Sequence, residues 1–450
     1  MHVDSATFDK KLHKWLVETS SGEMIYCRWF IPCIGFASRR YTPPFQGLGN
    51  FKGDVYHTAV WPQHDVNMRG KRVAVVGTGA SGIQVIQTIG PKVDHLTVFQ
   101  RTPNMCLPMK QTMLDEAEEQ KKKAAGQYEE EFAKTRTTFA GFTYDFVPRN
   151  TLDDTEEERE AFYHKILVED GGFKFWLNTY KDMLFDLQAN EQAYNFWRKT
   201  VQKRIPDPKK AELLAPKIAP HPWGTKRPSL EQNVYEVFSQ ANVAIVDVNE
   251  SPILEVTARG LVTKEGLVDV DIIVLATGFD SVTGALAQLN IRGTDGQTIA
   301  EHWRDGTRTS LGIAMARYPN MFFLYGPQAP TAFSNGPTCT QFQAEFVEKA
   351  LRQLTREGVT YFEAKESAEA EWCERMAEAW SKTLFPMAKS WYQGANIPGR
   401  RVEPLNWYVG PIFDDGGWTL TCYRAGGMPA YTQSLDQSLD NGYQAWIVAK

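Results

Sequence analysis

The sequence predicts an α/β protein built on a parallel sheet, and three observations predict it. Arg72-Val-Ala-Val-Val76 is an apolar, β-branched run ending at glycine, the pattern of a strand buried on both faces. Gly77-Thr-Gly-Ala-Ser-Gly82 follows it directly and opens a helix expected to run from Gly79 to Ile89, with a second strand at Leu96-Thr-Val-Phe-Gln100. Asp271-Ile-Ile-Val-Leu-Ala-Thr-Gly278 is a further apolar run with the same glycine ending.

The other elements follow in chain order. Lys14-Trp-Leu-Val-Glu-Thr19 and the run from Met24 to Phe36 flank a Ser-Ser-Gly turn, which reads as a β-hairpin whose second arm ends Ile31-Pro-Cys-Ile-Gly35. Tyr41-Thr-Pro-Pro-Phe-Gln-Gly47 is a Pro/Gly-rich connector. Residues 71–102 form one βαβ unit. Residues 107–215 change character: Glu116 to Lys123, Glu129 to Lys134 and Asp153 to Glu160 are charge-rich, and the first two hold strong helix formers, so a helical insertion with solvated faces is predicted. Strands return over 216–283, with Val243-Ala-Ile-Val-Asp247 the clearest beside 271–278. Met321-Phe-Phe-Leu-Tyr-Gly326 reads as a strand, Gln341 to Leu354 and Ala368 to Ser381 as amphipathic helices, and Tyr443 to Val448 as a strand or helix end.

Composition narrows the function classes. The 450 residues suffice for two or three domains, and 42% hydrophobic against 23% charged is an ordinary globular balance. A net charge of −5 supplies no global basic field for nucleic acid or an anionic membrane. No run approaches the roughly 18 apolar residues of a membrane span, and Met1-His-Val-Asp-Ser5 is not a secretory leader. The six cysteines (Cys27, Cys33, Cys106, Cys339, Cys373, Cys422) form no C-x-x-C pair, which argues against a disulfide framework or zinc site and predicts a reducing, cytoplasmic setting. The eight histidines lack ligand spacing, so no metal is expected. Thirteen tryptophans and 25 phenylalanines suit a site for bulky apolar ligands and ordinary core packing alike.

The glycine loop carries the chemistry. Gly77 permits the tight turn, Gly79 lets a pyrophosphate approach the backbone, and Gly82 lets helix and sheet pack closely. Phosphates then sit at a helix N-terminus, where N–H groups and the dipole favour negative charge. Thr78, Ala80, Ser81 and Gln84 complete the candidate loop and first helical turn. An NAD site usually ends its second strand in a carboxylate. Here that strand ends Gln100-Arg101-Thr102, and a guanidinium suits a 2′-phosphate, so NADP is predicted over NAD.

Residues 51–62 add a second motif. Phe51-Lys-Gly53-Asp-Val-Tyr-His57-Thr-Ala-Val-Trp61-Pro62 resembles the F-x-G-x-x-x-H-T-x-x-W-P signature of Baeyer–Villiger monooxygenases, closest to their steroid- and large-ketone branch. The resemblance extends over nearly the whole chain. It implies a two-dinucleotide-binding-domain flavoprotein architecture, FAD and NADP as cofactors, and conversion of a ketone and O₂ to an ester or lactone. By resemblance, Arg101, Thr102 and Lys226 meet the 2′-phosphate, and Arg227, in Trp223-Gly-Thr-Lys-Arg-Pro228, is the catalytic arginine that holds the nicotinamide and stabilises an anion formed on the flavin. Ala276-Thr277-Gly278 resembles the strand ending of such flavoproteins. Gly326-Pro327-Gln328, continuing to Asn335, resembles the segment near the flavin ring, and Ser390 to Gly399 a late family motif. His57 and Trp61 fall in the family's interdomain linker. A lone histidine is more often a hydrogen-bonded structural residue, and His57 is read as positional rather than acid–base. The domain expectation is 1–50 and 284–450 for the FAD-binding domain, 51–70 for the linker, 71–106 and 216–283 for the NADP-binding domain, and 107–215 for its insertion.

Two departures qualify the resemblance. The family's first GxGxxG, its strand and its acidic partner have no counterpart from residue 1 onward, so the N-terminal part of the FAD domain is expected to be missing and FAD binding weakened or lost. Val409 to Ala425 interrupts the expected passage from Tyr408 to Gly426-Gly-Met-Pro-Ala-Tyr431. Together these suggest a misread or incompletely spliced gene model, which transcript sequencing tests. The competing expectations are an NADP-binding derivative without flavin, acting as a redox-neutral catalyst or binding protein, and an inactive truncated product.

Overall fold

The computed structural model describes residues 2–331, 334–406 and 427–450. The expectations on Tyr408, on Val409 to Ala425 and on Gly426 lie outside the described residues, as do Ala332 and Phe333. The chain forms two compact units. The first comprises Met1–Arg39, Leu114–Pro148 and Asp280–Lys450, the second Arg40–Met113 and Arg149–Phe279. Residues 107–215, expected as one insertion, are thus shared between the units.

The second unit holds a five-stranded sheet in the order Asp54–His57, Ile272–Leu275, Arg72–Val76, His95–Gln100, Val243–Asp247. Every pairing is parallel. A parallel sheet is covered on both faces, and Val73, Ala74, Val75, Ile273 and Val274 are accordingly fully buried. The helix Ala80–Ile89 buries Gly82, Ile83, Ile86 and Ile89, one stripe at helical spacing. The ends of the central strands are locked by charge. Asp271 accepts from the Arg72 backbone N–H (2.9 Å), from its Nε (3.3 Å) and from its Nη2 (2.7 Å). The fingerprint expected as linker contributes the edge strand Asp54–His57, in register with Ile272–Leu275.

Helices follow Arg149 in this unit. Glu156–His164 starts with a capping box between Thr155 and Glu158, and Leu187–Gln202 is capped by Asp186, which accepts from the Ala189 N–H. Their packed faces bury aromatic rings. Trp223 lies 5.7 Å from Trp197 and 5.3 Å from Phe175 between centroids.

The first unit contains a mixed sheet in the order Asn290–Arg292, Val3–Asp9, Lys14–Thr19, Met24–Cys27. The hairpin forms, with Trp15 opposite Cys27, but its second arm ends at Cys27 rather than Phe36. Val3–Asp9 has no strand signal beyond alternation, with Ala6 and Phe8 facing inward. The expected strand at Met321–Gly326 is reduced to one parallel bridge between Met321 and Phe30. Pro32, two residues beyond Phe30, has no N–H with which to extend a ladder. The helix Gly336–Arg356 is capped by Asn335, whose side chain accepts from the Thr338 N–H. Trp446–Ala449 pairs antiparallel with Tyr361–Ala364, which resolves the tail as a strand.

Candidate functional site

The glycine loop lies at the C-terminal end of Arg72–Val76, where the order of the sheet reverses, with Ile272–Leu275 on one side and His95–Gln100 on the other. Ligands of open α/β sheets bind at such a switch point. Two glycines are required by packing. A Cβ on Gly77, whose φ is +106°, would sit 2.6 Å from the Ala276 carbonyl oxygen, and one on Gly82 would sit 2.3 Å from the Gly77 carbonyl oxygen. Gly79 differs: its Cβ would meet nothing within 4 Å. It is also the N-cap of Ala80–Ile89 and offers no side chain to cap it. Gly79, Ala80, Ser81 and Gln84 are exposed, so the helix N-terminus opens onto clear space. These residues fit a dinucleotide pyrophosphate, which supplies the acceptors that a capping side chain would otherwise provide.

The strand end beside the loop carries no carboxylate of its own. Gln100 is buried and its amide nitrogen donates to the Leu213 carbonyl (2.8 Å). Arg101 is exposed, its carbonyl held by Asn249 Nδ2 at 2.7 Å. The neighbouring strand ends in Asp247, whose carboxylate accepts from the Asn249 backbone (2.9 Å) and side chain (2.8 Å). The Thr78 hydroxyl donates to the Thr102 carbonyl at 2.8 Å.

Sequence reasoning missed Asn104. Its Nδ2 donates to the Thr78 carbonyl (3.0 Å) and to Ser229 Oγ (2.8 Å), and its Oδ1 accepts from the Ser229 N–H (3.2 Å). One side chain therefore ties the glycine loop to the chain two residues beyond Arg227. No local motif marks it, since a lone asparagine in a loop is common. Lys226 and Arg227 themselves are half-buried. Ahead of them the loop folds on itself: the Thr225 hydroxyl donates to the Pro222 carbonyl at 2.6 Å, and His221 Nδ1 lies 3.0 Å from the same oxygen. Burial, with the Lys226 ammonium assisting, pushes the His221 imidazole down to about 4.

Ala276-Thr277-Gly278 lies beside the glycine loop through Ala276. The Thr277 hydroxyl donates to the Tyr41 carbonyl at 2.6 Å. His57 is buried, and its Nδ1 accepts from the Ala59 N–H at 3.0 Å. That bond assigns the ring proton to Nε2, which lies 3.0 Å from the Tyr41 carbonyl. Both ring nitrogens thus serve local structure. Phe51 is in the core under the sheet, and a Cβ on Gly53 would fall 2.1 Å from the Asp271 carbonyl oxygen. Trp61 packs 5.6 Å from Tyr56, and Pro62 is half-buried after it.

In the first unit, a Cβ on Gly326 would sit 2.3 Å from the Phe323 ring, and Pro327 is buried. Gln328 is buried in a left-handed conformation (φ 63°). Its side chain accepts from the Thr309 hydroxyl (2.7 Å) and donates to the Thr307 carbonyl (3.3 Å), and its backbone N–H donates to the Leu405 carbonyl (2.7 Å). Among the described residues this unit has no strand, glycine loop and helix of the kind that seats a pyrophosphate. Among the described residues no cluster of three or more His, Cys, Asp or Glu is placed to hold a metal ion, and no helix is long and apolar enough to cross a membrane.

The parallel sheet with a glycine loop and helix N-terminus at its switch point defines a dinucleotide-binding fold. No protein-family model matches the chain. Relatives do. The chain is 43% identical over 447 residues to the cyclopentanone 1,2-monooxygenase of Comamonas sp. (strain NCIMB 9872), covering 99% of this chain and 78% of that protein. It is similar to the structure of OTEMO in complex with FAD and NADP, with a TM-score of 0.90 at 32% identity, and to the closed structure of cyclohexanone monooxygenase, with a TM-score of 0.90 at 34% identity. Each comparison covers 100% of this chain and 80% of the other. The chain belongs to the Baeyer–Villiger monooxygenases, the flavin-dependent enzymes that convert a ketone to an ester or lactone with O₂.

Proposed function

We propose that the second unit binds NADPH, with NADP(H) preferred over NAD(H), and that Arg227 is the catalytic residue of a Baeyer–Villiger reaction on a cyclic ketone. The observation that carries this is the pair of ties that meet at Thr78 of the glycine loop, one from its hydroxyl to the Thr102 carbonyl and one from its carbonyl through Asn104 to Ser229, two residues beyond Arg227. The N–H groups opening the helix at Ala80 hold the pyrophosphate. Arg101 and Lys226 pair with the 2′-phosphate, and Thr102 contributes through its position after Arg101. Arg227 stays protonated at any working pH and aims donors at the nicotinamide and at negative charge developing beside it. Bound NADPH supplies hydride and bound flavin supplies oxygen activation; the protein supplies position and charge. The cyclic ketone is suggested by the relatives named for cyclopentanone and cyclohexanone. The scattered cysteines accord with a reducing, cytoplasmic setting.

A second reading is favoured by one observation, the lack of a second glycine-loop cradle among the described residues. In that reading this 450-residue polypeptide retains NADP and holds FAD weakly or not at all. The test is the visible spectrum of the purified chain after incubation with FAD and desalting, followed by NADPH oxidation with cyclopentanone, cyclohexanone and a steroid ketone. Retained flavin with ketone-dependent NADPH oxidation supports the monooxygenase. A colourless protein that still binds NADPH supports the second reading, and a protein that binds neither overturns both.

A further inference from the structure

The helices between Arg149 and Leu214 have no role in the site described so far, yet one buried polar side chain on them reaches it. Asn190 lies in the first turn of Leu187–Gln202 and is 2% exposed. It is not needed to start that helix, because Asp186 already caps it. Its Nδ2 donates to the Met183 carbonyl (2.8 Å) and to the Trp223 carbonyl (2.9 Å), and its Oδ1 accepts from the Trp223 N–H (2.6 Å). The amide therefore grips both backbone polar groups of Trp223, three residues before Lys226. Trp176, also between Arg149 and Leu214, donates its indole N–H to the Gly224 carbonyl at 3.1 Å. Gly224 is left-handed at φ +74°, and a Cβ there would lie 2.8 Å from the Trp176 ring. The left-handed backbone and the nearby indole together favour glycine at 224.

We infer that Asn190 is a positioning residue for Lys226 and Arg227, and that these helices serve as the scaffold that sets the register of the phosphate- and nicotinamide-facing loop. Asn190 fixes the loop before the Lys-Arg pair, and Asn104 fixes it after the pair, at Ser229. An asparagine suits the task because its planar amide both donates and accepts, and a fully satisfied buried amide admits one geometry. The inference rests on the NADP reading above and deepens it.

The test is isothermal titration of the whole chain with NADP⁺ and with NAD⁺. Wild type is compared with Asn190→Ala, Asn190→Asp, Trp176→Phe and a control, Tyr194→Phe. Tyr194 lies one turn further along the same helix and donates to the Pro216 carbonyl (2.5 Å), outside the loop. Asn190→Ala and Asn190→Asp should weaken NADP⁺ binding about tenfold, the scale of one lost hydrogen bond to a charged group, and NAD⁺ binding by a smaller factor, since NAD⁺ meets Arg227 but brings no 2′-phosphate to Lys226. Trp176→Phe, which keeps an aromatic ring in place, should move selectivity in the same direction, and Tyr194→Phe should not. The Trp176 variant keeps the test decisive where a buried change at Asn190 prevents folding. Unchanged selectivity in the folded variants, or an equal change in Tyr194→Phe, overturns the inference. Wild type that binds neither nucleotide overturns the NADP reading itself.

Discussion

Acidification should weaken this protein through one ring beside the Lys226 loop. His221 is buried and neutral, with its imidazole pushed down to about 4 by burial first and the Lys226 ammonium second. In the unfolded chain the ring titrates at 6.5. Between those values the unfolded state binds more protons than the folded one, so stability is full above about pH 6.5 and is lost as the pH falls toward 4. Integrating the linkage with these two values gives a loss of about 2 kcal/mol between pH 7 and pH 5. His221→Asn keeps a donor near the Pro222 carbonyl and removes the titration. The assay is urea unfolding of both proteins at the two pH values, followed by tryptophan fluorescence, which reports on Trp223 among the other indoles. Wild type should lose about 2 kcal/mol more than the variant on acidification, and the difference between the two losses cancels every other titrating group. Equal losses would refute the argument, because they would mean that the ring carries a proton in the folded state or is not buried there.

Other consequences follow from the same geometry. Gly79→Ala adds a methyl into open space, so it should leave thermal stability unchanged while weakening NADP⁺ in a binding titration. Gly82→Ala forces a Cβ against the Gly77 carbonyl and should cost about 1–3 kcal/mol of stability in denaturant unfolding. Arg101→Ala should reduce NADP⁺ affinity about tenfold or more and leave NAD⁺ nearly unaffected, measured by the same titration. The Arg72 guanidinium holds the Asp271 carboxyl down to about 2, so this pair stabilises above about pH 4 and is lost as the pH falls toward 2. The carboxylate is partly exposed, which limits the effect to about 1 kcal/mol or less, and Asp271→Asn should flatten the acid-unfolding curve by circular dichroism in that window.

The sequence was informative where structure is made by neighbours in the chain. Arg72–Val76 and Val243–Asp247 form over the very residues their apolar, β-branched runs marked, and the glycine loop leads into its helix as its spacing requires. It was less informative where pairing is remote. Val3–Asp9 is a strand because Lys14–Thr19 and Asn290–Arg292 flank it, and the latter lies far along the chain. Met321–Gly326 has the composition of a strand without a partner able to continue the ladder past Pro32. The fingerprint at 51–62 was legible as a motif and His57 as a positional residue, but the edge strand the segment builds was not. Asp54–His57 is a sheet edge, and His57 locks the turn that leaves it.

The same distinction explains which parts of the site were hidden. The glycines and Arg101 could be read from residue type and spacing, whereas Lys226 and Arg227 were singled out only by resemblance to the family, since a Lys-Arg pair alone reads as surface charge. The bonds that tie these segments together come from a pair of asparagines whose partners are distant: Asn104 reaches Ser229 across 125 positions, and Asn190 reaches Trp223 across 33. An asparagine amide is chosen by two backbone groups that only the folded chain brings together, so no local pattern selects it. In a segment where two cationic side chains must meet two different groups of one nucleotide, an error in loop register would misplace both. On the proposed reading, clamps on either side of the pair prevent that, and the hydrogen-bonded amides of Asn190 and Asn104 flank Lys226 and Arg227 accordingly.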